Sequence, residues 1–203
     1  LRVRAGQLVL IVGQVGSGKS SLLSGLAGLV SHRGTVSWNG RETTDAQHEL
    51  RPGRIAHVAQ VPRVLSGTFA DNIRLDHSQR QVEGAIKAAR LSVDVTAAGG
   101  PEALVGHRGV RLSGGQVQRL ALARALACDA EILLADDVSA ARDAETEIEM
   151  WSGLREARTT VIGATSKSAA LAQADVVVVV AAGTVVATGP WHELSPTWGH
   201  LAG

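Results

Sequence analysis

The stretch Gly13-Gln14-Val15-Gly16-Ser17-Gly18-Lys19-Ser20 decides the fold of this 203-residue chain. It has the spacing of a phosphate-binding loop, in which glycines let the backbone turn tightly and direct several N–H groups at one anion. Lys19 is placed to reach the outer phosphates of a nucleotide, and Ser20 is placed to offer its hydroxyl to Mg²⁺. We therefore expect this loop and the following Ser21 to bind a nucleotide together with Mg²⁺.

The segments on either side of the loop have the patterns that such a loop requires. Residues 8–12 form a short apolar run typical of a buried strand, and residues 20–30 carry leucines at helical spacing. Strand, glycine loop and helix is the order in which a phosphate-binding loop occurs, so the alternative of a chance glycine-rich turn is disfavoured.

Strand and helix patterns alternate along the rest of the chain. The run Gly34-Thr35-Val36-Ser37-Trp38-Asn39-Gly40 alternates and ends in an Asn-Gly turn, which predicts a strand entering a tight reversal. Further core strands are predicted at 54–59, 132–135, 160–164 and 176–181, and helices at 82–91, 116–127 and 143–157. The alternation predicts an α/β fold with a mostly parallel core sheet, flanking helices, a small antiparallel β part and an inserted helical lobe.

Composition excludes several classes of function. The net charge of +1 and the 2% aromatic content leave no broad basic face and little for bases to stack on, so nucleic acid is not an expected partner. A single cysteine, Cys128, cannot form an internal disulfide and fits a reducing compartment. The longest apolar run, residues 176–182, is too short to span a bilayer, and the histidines show no metal-ligand spacing.

Two further motifs carry a resemblance to a known family. The first motif directly precedes a predicted helix and reads Leu112-Ser113-Gly114-Gly115-Gln116. The second motif reads Ser66-Gly67-Thr68-Phe69-Ala70-Asp71-Asn72-Ile73. On these motifs the chain resembles, over nearly its whole length, the nucleotide-binding domains of ABC transporters, and among them the exporter type. The resemblance implies ATP as the nucleotide and a P-loop NTPase with a RecA-like core, about residues 1–62 and 129–203, and an α-helical signature lobe at about 63–128.

The resemblance also assigns roles to residues by their position. Asp136, at the end of an apolar strand, matches the aspartate that holds Mg²⁺ directly or through water. Gln60 matches a glutamine that contacts the metal and faces the membrane domain, so the implied metal ligands are Ser20, Gln60 and Asp136. Gln60 is implied in ATP binding as well. The signature segment, Ser113 to Gln116, is implied to contact the ATP of a second domain.

Contact with a membrane domain follows from the same resemblance. Val105-Gly106-His107-Arg108-Gly109 occupies the place of a loop that touches the coupling helices in exporters. The expected partner is a transmembrane domain fused N-terminally, and the expected location is the cytoplasmic face of the plasma membrane. The family stacks adenine on an aromatic residue well upstream of the phosphate loop, and we expect that residue to lie outside this sequence.

Three positions depart from the family pattern. The residue after Asp136 is normally glutamate and here is Asp137, and the switch histidine is replaced by Ser166 in the triplet Thr165-Ser166-Lys167. The D-loop is normally Ser-Ala-Leu-Asp and here is Ala140-Ala141-Arg142-Asp143. Aspartate is shorter than glutamate by one methylene, roughly 1.5 Å, and a misplacement of about 1 Å can cost on the order of a hundredfold in rate. We expect the catalytic positions Asp137 and Ser166 to support ATP binding with slow hydrolysis.

The intact signature beside altered catalytic positions points to an asymmetric assembly. Domains of the resembled family pair head to tail, so this chain is expected to be the degenerate half of a heterodimer whose partner carries the glutamate and the histidine. A homodimer that hydrolyses ATP slowly at two equal sites is the alternative within the family. A P-loop ATPase outside transport, either a kinase or a DNA-repair enzyme, is the alternative from another class.

Overall fold

The computed structural model describes residues 1–43, 53–75, 81–106, 109, 111–138, 144–156 and 159–203. Its strands, in chain order, are β1 (Leu8–Val12), β2 (Ser37–Trp38), β3 (Arg41–Glu42), β4 (Ile55–Val58), β5 (Gly67–Thr68), β6 (Leu104–Val105), β7 (Ile132–Asp136), β8 (Thr160–Ala164), β9 (Val176–Ala181) and β10 (Thr184–Gly189). Its helices are α1 (Lys19–Leu26), α2 (Phe69–Arg74), α3 (Val82–Ala88), α4 (Ser92–Ala97), α5 (Gly114–Leu126), α6 (Ala144–Glu156), α7 (Ser168–Leu171) and α8 (Trp191–Trp198), and a 3₁₀ turn follows at Gly199–Leu201.

The central sheet has six strands within the described residues, in the order β10-β9-β1-β8-β7-β4. β4, β7, β8, β1 and β9 are parallel, and β10 joins β9 as an antiparallel edge strand. The carboxyl ends of the parallel strands therefore lie at one edge of the sheet, where ligands of open α/β folds bind. Two short antiparallel ladders, β2–β3 and β5–β6, lie outside this sheet.

Helices cover both faces of the sheet because its central strands are apolar on both sides. All of β1 is buried, and its alternate residues pack into two different clusters. Leu23 of α1 belongs to the cluster on one face, and Trp151 of α6 belongs to the cluster on the other. A Cβ on Gly163 of β8 would lie 2.6 Å from the Trp151 ring, so glycine at this position lets α6 approach the sheet.

The mostly parallel α/β fold predicted from the sequence is confirmed, and several boundaries are sharper than the pattern suggested. The first helix was predicted over 20–30 but ends at Leu26, because Gly28 adopts a φ of 67° and the Leu29 N–H closes on the Ser24 carbonyl. The sequence pattern did not reveal β10, whose residues are largely exposed. Among the described helices, we find none with the length and hydropathy needed to cross a bilayer.

Candidate functional site

The phosphate-binding loop joins the end of β1 to the start of α1 at the carboxyl edge of the sheet. Gly16 and Gly18 adopt φ values of 80° and 103°, in the left-handed region that favours glycine. Gly18 is the N-cap of α1, and no side chain caps this helix within the described residues. The first N–H groups of α1 are therefore available to an anion at the loop.

The β9–β10 edge of the central sheet supports the loop. A Cβ on Gly13 would lie 2.2 Å from the Val180 carbonyl oxygen and 2.7 Å from Ser17 Oγ, so no other residue fits there without a shift of the backbone. The Gly183 N–H, in the turn between β9 and β10, donates to the Ser17 carbonyl at 3.0 Å. Ser17 Oγ itself is buried and has no hydrogen-bond partner in the described part of the chain, so a buried polar atom of this loop is left for a ligand to satisfy.

Lys19 lies across the mouth of this loop. Its Nζ donates to the carbonyl oxygens of Gly13 at 2.7 Å and Gln14 at 3.0 Å, which holds the ammonium against the first two residues of the loop. Gln14, Val15 and Gly16 are exposed, and so is Ser21 in the first turn of α1. The structure thus brings the predicted loop residues together as a cationic cradle open to solvent.

The oxygen ligands predicted for Mg²⁺ meet beside the cradle. Ser20 Oγ donates to Asp136 Oδ1 at 3.0 Å, which joins the start of α1 to the end of β7. The Asp136 side chain lies at the bottom of the site, because the residue is only 6% exposed. A hydroxyl and a carboxylate are hard oxygen donors of the kind that Mg²⁺ selects, so these two residues fit a phosphate-bound Mg²⁺.

Gln60 and Asp137 lie next to this pair. Gln60 Nε2 donates to Asp137 Oδ2 at 3.2 Å, so the amide of the predicted metal ligand contacts the predicted catalytic carboxylate. Asp137 has a φ of 48°, a left-handed conformation that aspartate tolerates better than most residues. Its N–H donates to the Ala164 carbonyl at 3.2 Å, which fixes the backbone of Asp137 beside the end of β8.

The switch triplet follows β8 at the same edge. Thr165 is buried, its N–H donates to the Ile11 carbonyl at 3.2 Å, and its Oγ1 accepts from the Lys167 N–H at 3.1 Å. Ser166 is exposed, and its carbonyl accepts from the Gly203 N–H at 2.7 Å. The triplet is therefore fixed through its backbone, and the Ser166 side chain is left on the surface. The D-loop residues 140–143, together with His107 and Arg108, lie outside the described residues.

The signature segment, Ser113 to Gln116, forms the start of α5. Ser113 is the N-cap, its Oγ accepts from the Gln116 N–H at 3.3 Å, and its own N–H donates to Gln116 Oε1 at 2.8 Å. This reciprocal pair is a complete capping box. The hydrogen bonds of Gln116 and Arg119 join this end of α5 to Asp94 on α4, away from the phosphate-binding loop.

Sequence reasoning missed two residues near these segments. His57, on β4, has a buried Nε2 with no partner among the described residues; burial lowers the pKa of this imidazole, and the nearby Asp136 carboxylate opposes that shift. The available signal was its position within the predicted core strand at residues 54–59. Asp94 had no signal in the sequence, because it lies 22 residues from the Gln116 side chain that it contacts.

Comparison with known proteins agrees with this geometry. Residues 1–140 match the family model described as ABC transporter. The glutathione/L-cysteine transport system ATP-binding/permease protein CydD of Escherichia coli is 36% identical over 98% of this chain and 35% of that protein. The β-(1→2)glucan export ATP-binding/permease protein NdvA of Mesorhizobium japonicum is 38% identical over 98% of this chain and 35% of its own length. This chain thus spans about a third of these relatives' length.

A solved structure gives the same result in three dimensions. The structure of a bacterial Atm1-family ABC exporter with ATP bound superposes with a TM-score of 0.87 at 28% sequence identity. The match covers 99% of this chain and 37% of that one. The similarity therefore extends over the whole chain and includes both the phosphate-binding loop and the signature segment.

Proposed function

The chain belongs to the ABC transporter family as a nucleotide-binding domain of the exporter type, and from this premise we propose that it binds Mg-ATP and pairs head to tail with a second such domain. ABC ATPase domains in general bind ATP with Mg²⁺. The single observation that carries the proposal for this chain is the contact of Ser20 with Asp136 beside the Lys19 ammonium. Lys19 and the N–H groups of α1 would hold the phosphates, and Ser20 and Asp136 would hold the metal.

The charge at the helix N-termini supports phosphate binding at two places. A carboxylate in the first turn stabilises a helix but repels an anion that approaches the same end. Among the helices whose first turns the structure describes, those with an acid there are α2 (Asp71), α3 (Glu83), α4 (Asp94) and α8 (Glu193). The first turns of α1 and α5, and of the single-turn α7, contain none. The helices that follow the phosphate-binding loop and the signature segment thus have no carboxylate in their first turns to repel a phosphate.

The signature segment is available to a second domain. Ser113 and Gly114 are exposed, and a Cβ on Gly114 would meet nothing within 4 Å. The side chains of Ser113 and Gln116 bond to each other and to Asp94 of α4, and they leave the N–H groups of Gly114 and Gly115 for a ligand. In a head-to-tail pair, this end of α5 would lie over the ATP held by the partner's phosphate-binding loop.

We propose that the chain consists of a core, residues 1–62 and 129–203, and a signature lobe, residues 63–128. All six strands of the central sheet lie in the first two ranges, whereas α2 to α5 lie in the third. Two side chains of α5 reach back to the segment after β4, because Gln118 Nε2 donates to the Gln60 carbonyl at 3.4 Å and Arg124 donates to the Arg63 carbonyl at 3.1 Å. These bonds would transmit a movement of the lobe to the residue beside Asp137.

The membrane partner would contact an apolar surface next to Gln60. Val61, Leu65 and Leu104 are 83%, 52% and 55% exposed. The β5–β6 ladder and the approach of Gly106 to the Leu65 carbonyl bring the segments that contain Leu65 and Leu104 side by side. Because the relatives are described as ATP-binding/permease proteins, we propose a transmembrane domain in the same polypeptide as the partner, with this domain on the cytoplasmic face of the membrane.

The finer proposal is that this site is degenerate and that the second domain supplies the hydrolytic site. Asp137 reaches less far than a glutamate, and Ser166 cannot span the distance that an imidazole covers. The specific observation in favour of the homodimeric alternative is the Gln60–Asp137 hydrogen bond, which orients the carboxylate as a weak base. The exporter relatives give no support to the kinase or DNA-repair alternatives.

The experiment measures Mg-ATP binding and steady-state phosphate release in the intact transporter that contains this chain, with the hydrolytic site of the second domain inactivated so that release reports on this chain's own site. We compare the unmodified protein with the double variant Asp137→Glu, Ser166→His. Tight binding with little release, and a gain of about 100-fold in the double variant, supports the degenerate site. Rapid release at this chain's own site in the unmodified protein overturns it and favours the homodimer.

Asp129→Glu provides the matched control. Asp129 has a φ of 49°, nearly that of Asp137, and it lies just after α5. The same substitution there measures the cost of a glutamate in the left-handed conformation without changing the catalytic edge. We expect it to leave binding and release unchanged.

A further inference from the structure

One carboxylate on α4, that of Asp94, accepts hydrogen bonds from the first turns of the signature helix α5. Asp94 Oδ1 accepts from Gln116 Nε2 at 2.9 Å, and Asp94 Oδ2 accepts from Arg119 Nε at 3.1 Å and from Arg119 Nη2 at 2.8 Å. The Asp94 and Arg119 side chains are only 16% and 21% exposed. Both oxygens of Asp94 are therefore used to hold α5 rather than to contact solvent.

The orientation of the Gln116 amide follows from its two partners. The Ser113 N–H can only donate, so it must face Gln116 Oε1, and the Asp94 carboxylate accepts from Gln116 Nε2. If the amide were reversed, both contacts would be repulsive. Asp94 therefore sets the rotamer of Gln116, and Gln116 in turn sets the position of the Ser113 backbone.

We propose that Asp94 is a positioning residue for the signature segment, acting through Gln116 on the N–H groups that face the partner's ATP. This inference rests on the proposed head-to-tail function, because the segment acts only on a nucleotide held by another domain. Asp94 itself contacts no nucleotide. It fixes the helix end that does.

The sequence of the segment explains why a support is needed. Gly114 and Gly115 occupy the first positions of α5, and glycine favours the helical conformation less than alanine because its backbone has more conformational freedom to lose. Glycine also leaves no side chain to pack against α4. A charge-assisted anchor just after the glycines compensates for this freedom. Arg119 neutralises the anchor, so the negative charge of Asp94 does not repel an approaching phosphate.

The test uses the intact transporter with the variants Asp94→Asn, Gln116→Ala and both together. Asparagine has the shape of aspartate, but one of its two polar atoms must be an NH₂ group, so it cannot accept from both Gln116 and Arg119. We expect ATP binding at this chain's own phosphate-binding loop to stay within about twofold. Turnover at the site completed by the signature should fall by about 10- to 100-fold, because small displacements of positioned groups are costly.

The double variant shows whether Asp94 acts through Gln116. If it does, Asp94→Asn should cause no further loss of kcat in the Gln116→Ala background. Arg119→Lys, which keeps the charge and leaves the Asp94–Gln116 contact in place, should retain most of the turnover. Additive losses in the double variant would overturn the inference.

Asp175→Asn is the matched control for a loss of stability. Asp175 accepts from Arg155 Nη2 at 2.8 Å through one oxygen and from the Leu8 N–H at 2.8 Å through the other, so, like Asp94, it joins an arginine to a second N–H donor. We expect it to lower Tm without changing kcat or KM. If Asp94→Asn and Asp175→Asn lowered kcat equally, in proportion to the Tm that each loses, this inference would be overturned while the proposed function would stand. An unmodified transporter that neither binds nor hydrolyses ATP would overturn the proposed function and this inference together.

Discussion

The two helix ends proposed to bind phosphate are built in opposite ways. At α1, Gly18 occupies the N-cap in a left-handed conformation and offers no side-chain cap. At α5, Ser113 and Gln116 form a complete capping box. The first end leaves its N–H groups for a ligand to cap, whereas the second is already ordered by its own side chains. An end that binds ATP within the chain can be completed by that ATP, and an end that waits for a partner must be rigid beforehand.

The supports behind the two ends differ as well. The phosphate-binding loop rests on backbone of a buried strand, and Gly13 lies too close to Val180 for any side chain. The signature end rests on a largely buried polar network centred on Asp94. Steric changes should therefore weaken the support of the first end, and changes of hydrogen bonding should weaken the support of the second.

Removing the charge at the α1 end should have the largest effect. Lys19→Ala deletes the ammonium that lies across the loop, at 2.7 Å from the Gly13 carbonyl. Two charge-assisted hydrogen bonds to phosphate are worth about 3 kcal/mol or more in total, so we expect Mg-ATP binding to weaken about 100-fold or more. Isothermal titration calorimetry on the intact transporter measures this. Lys87→Ala, on the exposed side of α3, is the control and should bind normally.

How far the sequence predicts these two ends depends on how local their supports are. The strand bounds 8–12, 160–164 and 176–181 agree with the structure, because continuous apolar runs mark buried parallel strands. The glycine spacing predicts a phosphate-binding loop, and Ser20 of that loop donates a hydrogen bond to Asp136 at the end of β7. These features depend on residues next to one another or on the common edge of a parallel sheet.

The parts that the sequence did not predict depend on distant contacts. The contact of Asp94 with Gln116 joins two helices whose registers no local pattern fixes. The Gly203–Ser166 backbone hydrogen bond joins segments far apart in the chain. β10 was missed because its residues are exposed and follow a tight turn at Ala182 and Gly183, so burial left no pattern to recognise.

A pair of glycine substitutions should separate the two kinds of support. Gly13→Ala would place a Cβ 2.2 Å from the Val180 carbonyl oxygen, so we expect a loss of about 1–3 kcal/mol in the free energy of unfolding. Gly114→Ala meets nothing within 4 Å, and a better helix former there should leave stability equal or up to about 1 kcal/mol higher. Urea denaturation of the two variants measures this difference.

Gly114→Ala should nevertheless impair function. Its methyl group would lie where the partner's phosphate approaches, so turnover in the transporter should fall while unfolding stays normal. Equal stability losses in the two variants, or full turnover in Gly114→Ala, would contradict the distinction between a loop held by packing and an end exposed for a partner.

The smallest effect concerns the chemistry of the capping boxes. α2 also begins with a complete box, but its second member is Asp71 rather than a neutral amide. The pKa of this carboxyl lies below its ordinary value of 3.8. The largest cause is the hydrogen bond from the Thr68 N–H, and the next is the Thr68 side chain; Arg74 adds to the lowering, and partial desolvation opposes it. A carboxyl with a lowered folded pKa stabilises the protein above its unfolded pKa, and the contribution is lost as the pH falls through the folded pKa.

Asp71→Asn should remove this pH dependence and keep the cap. The asparagine Oδ1 can still accept from the Thr68 N–H, so the difference in unfolding free energy between the unmodified protein and the variant should shrink as the pH falls from 5 towards 3. Denaturation at several pH values measures it, and a constant difference would contradict the assignment. The box of α5 contains Gln116 and does not titrate. A carboxylate stabilises α2, for which no anion is proposed, whereas a neutral amide gives α5 the same cap without repelling the phosphate that its N–H groups are proposed to bind.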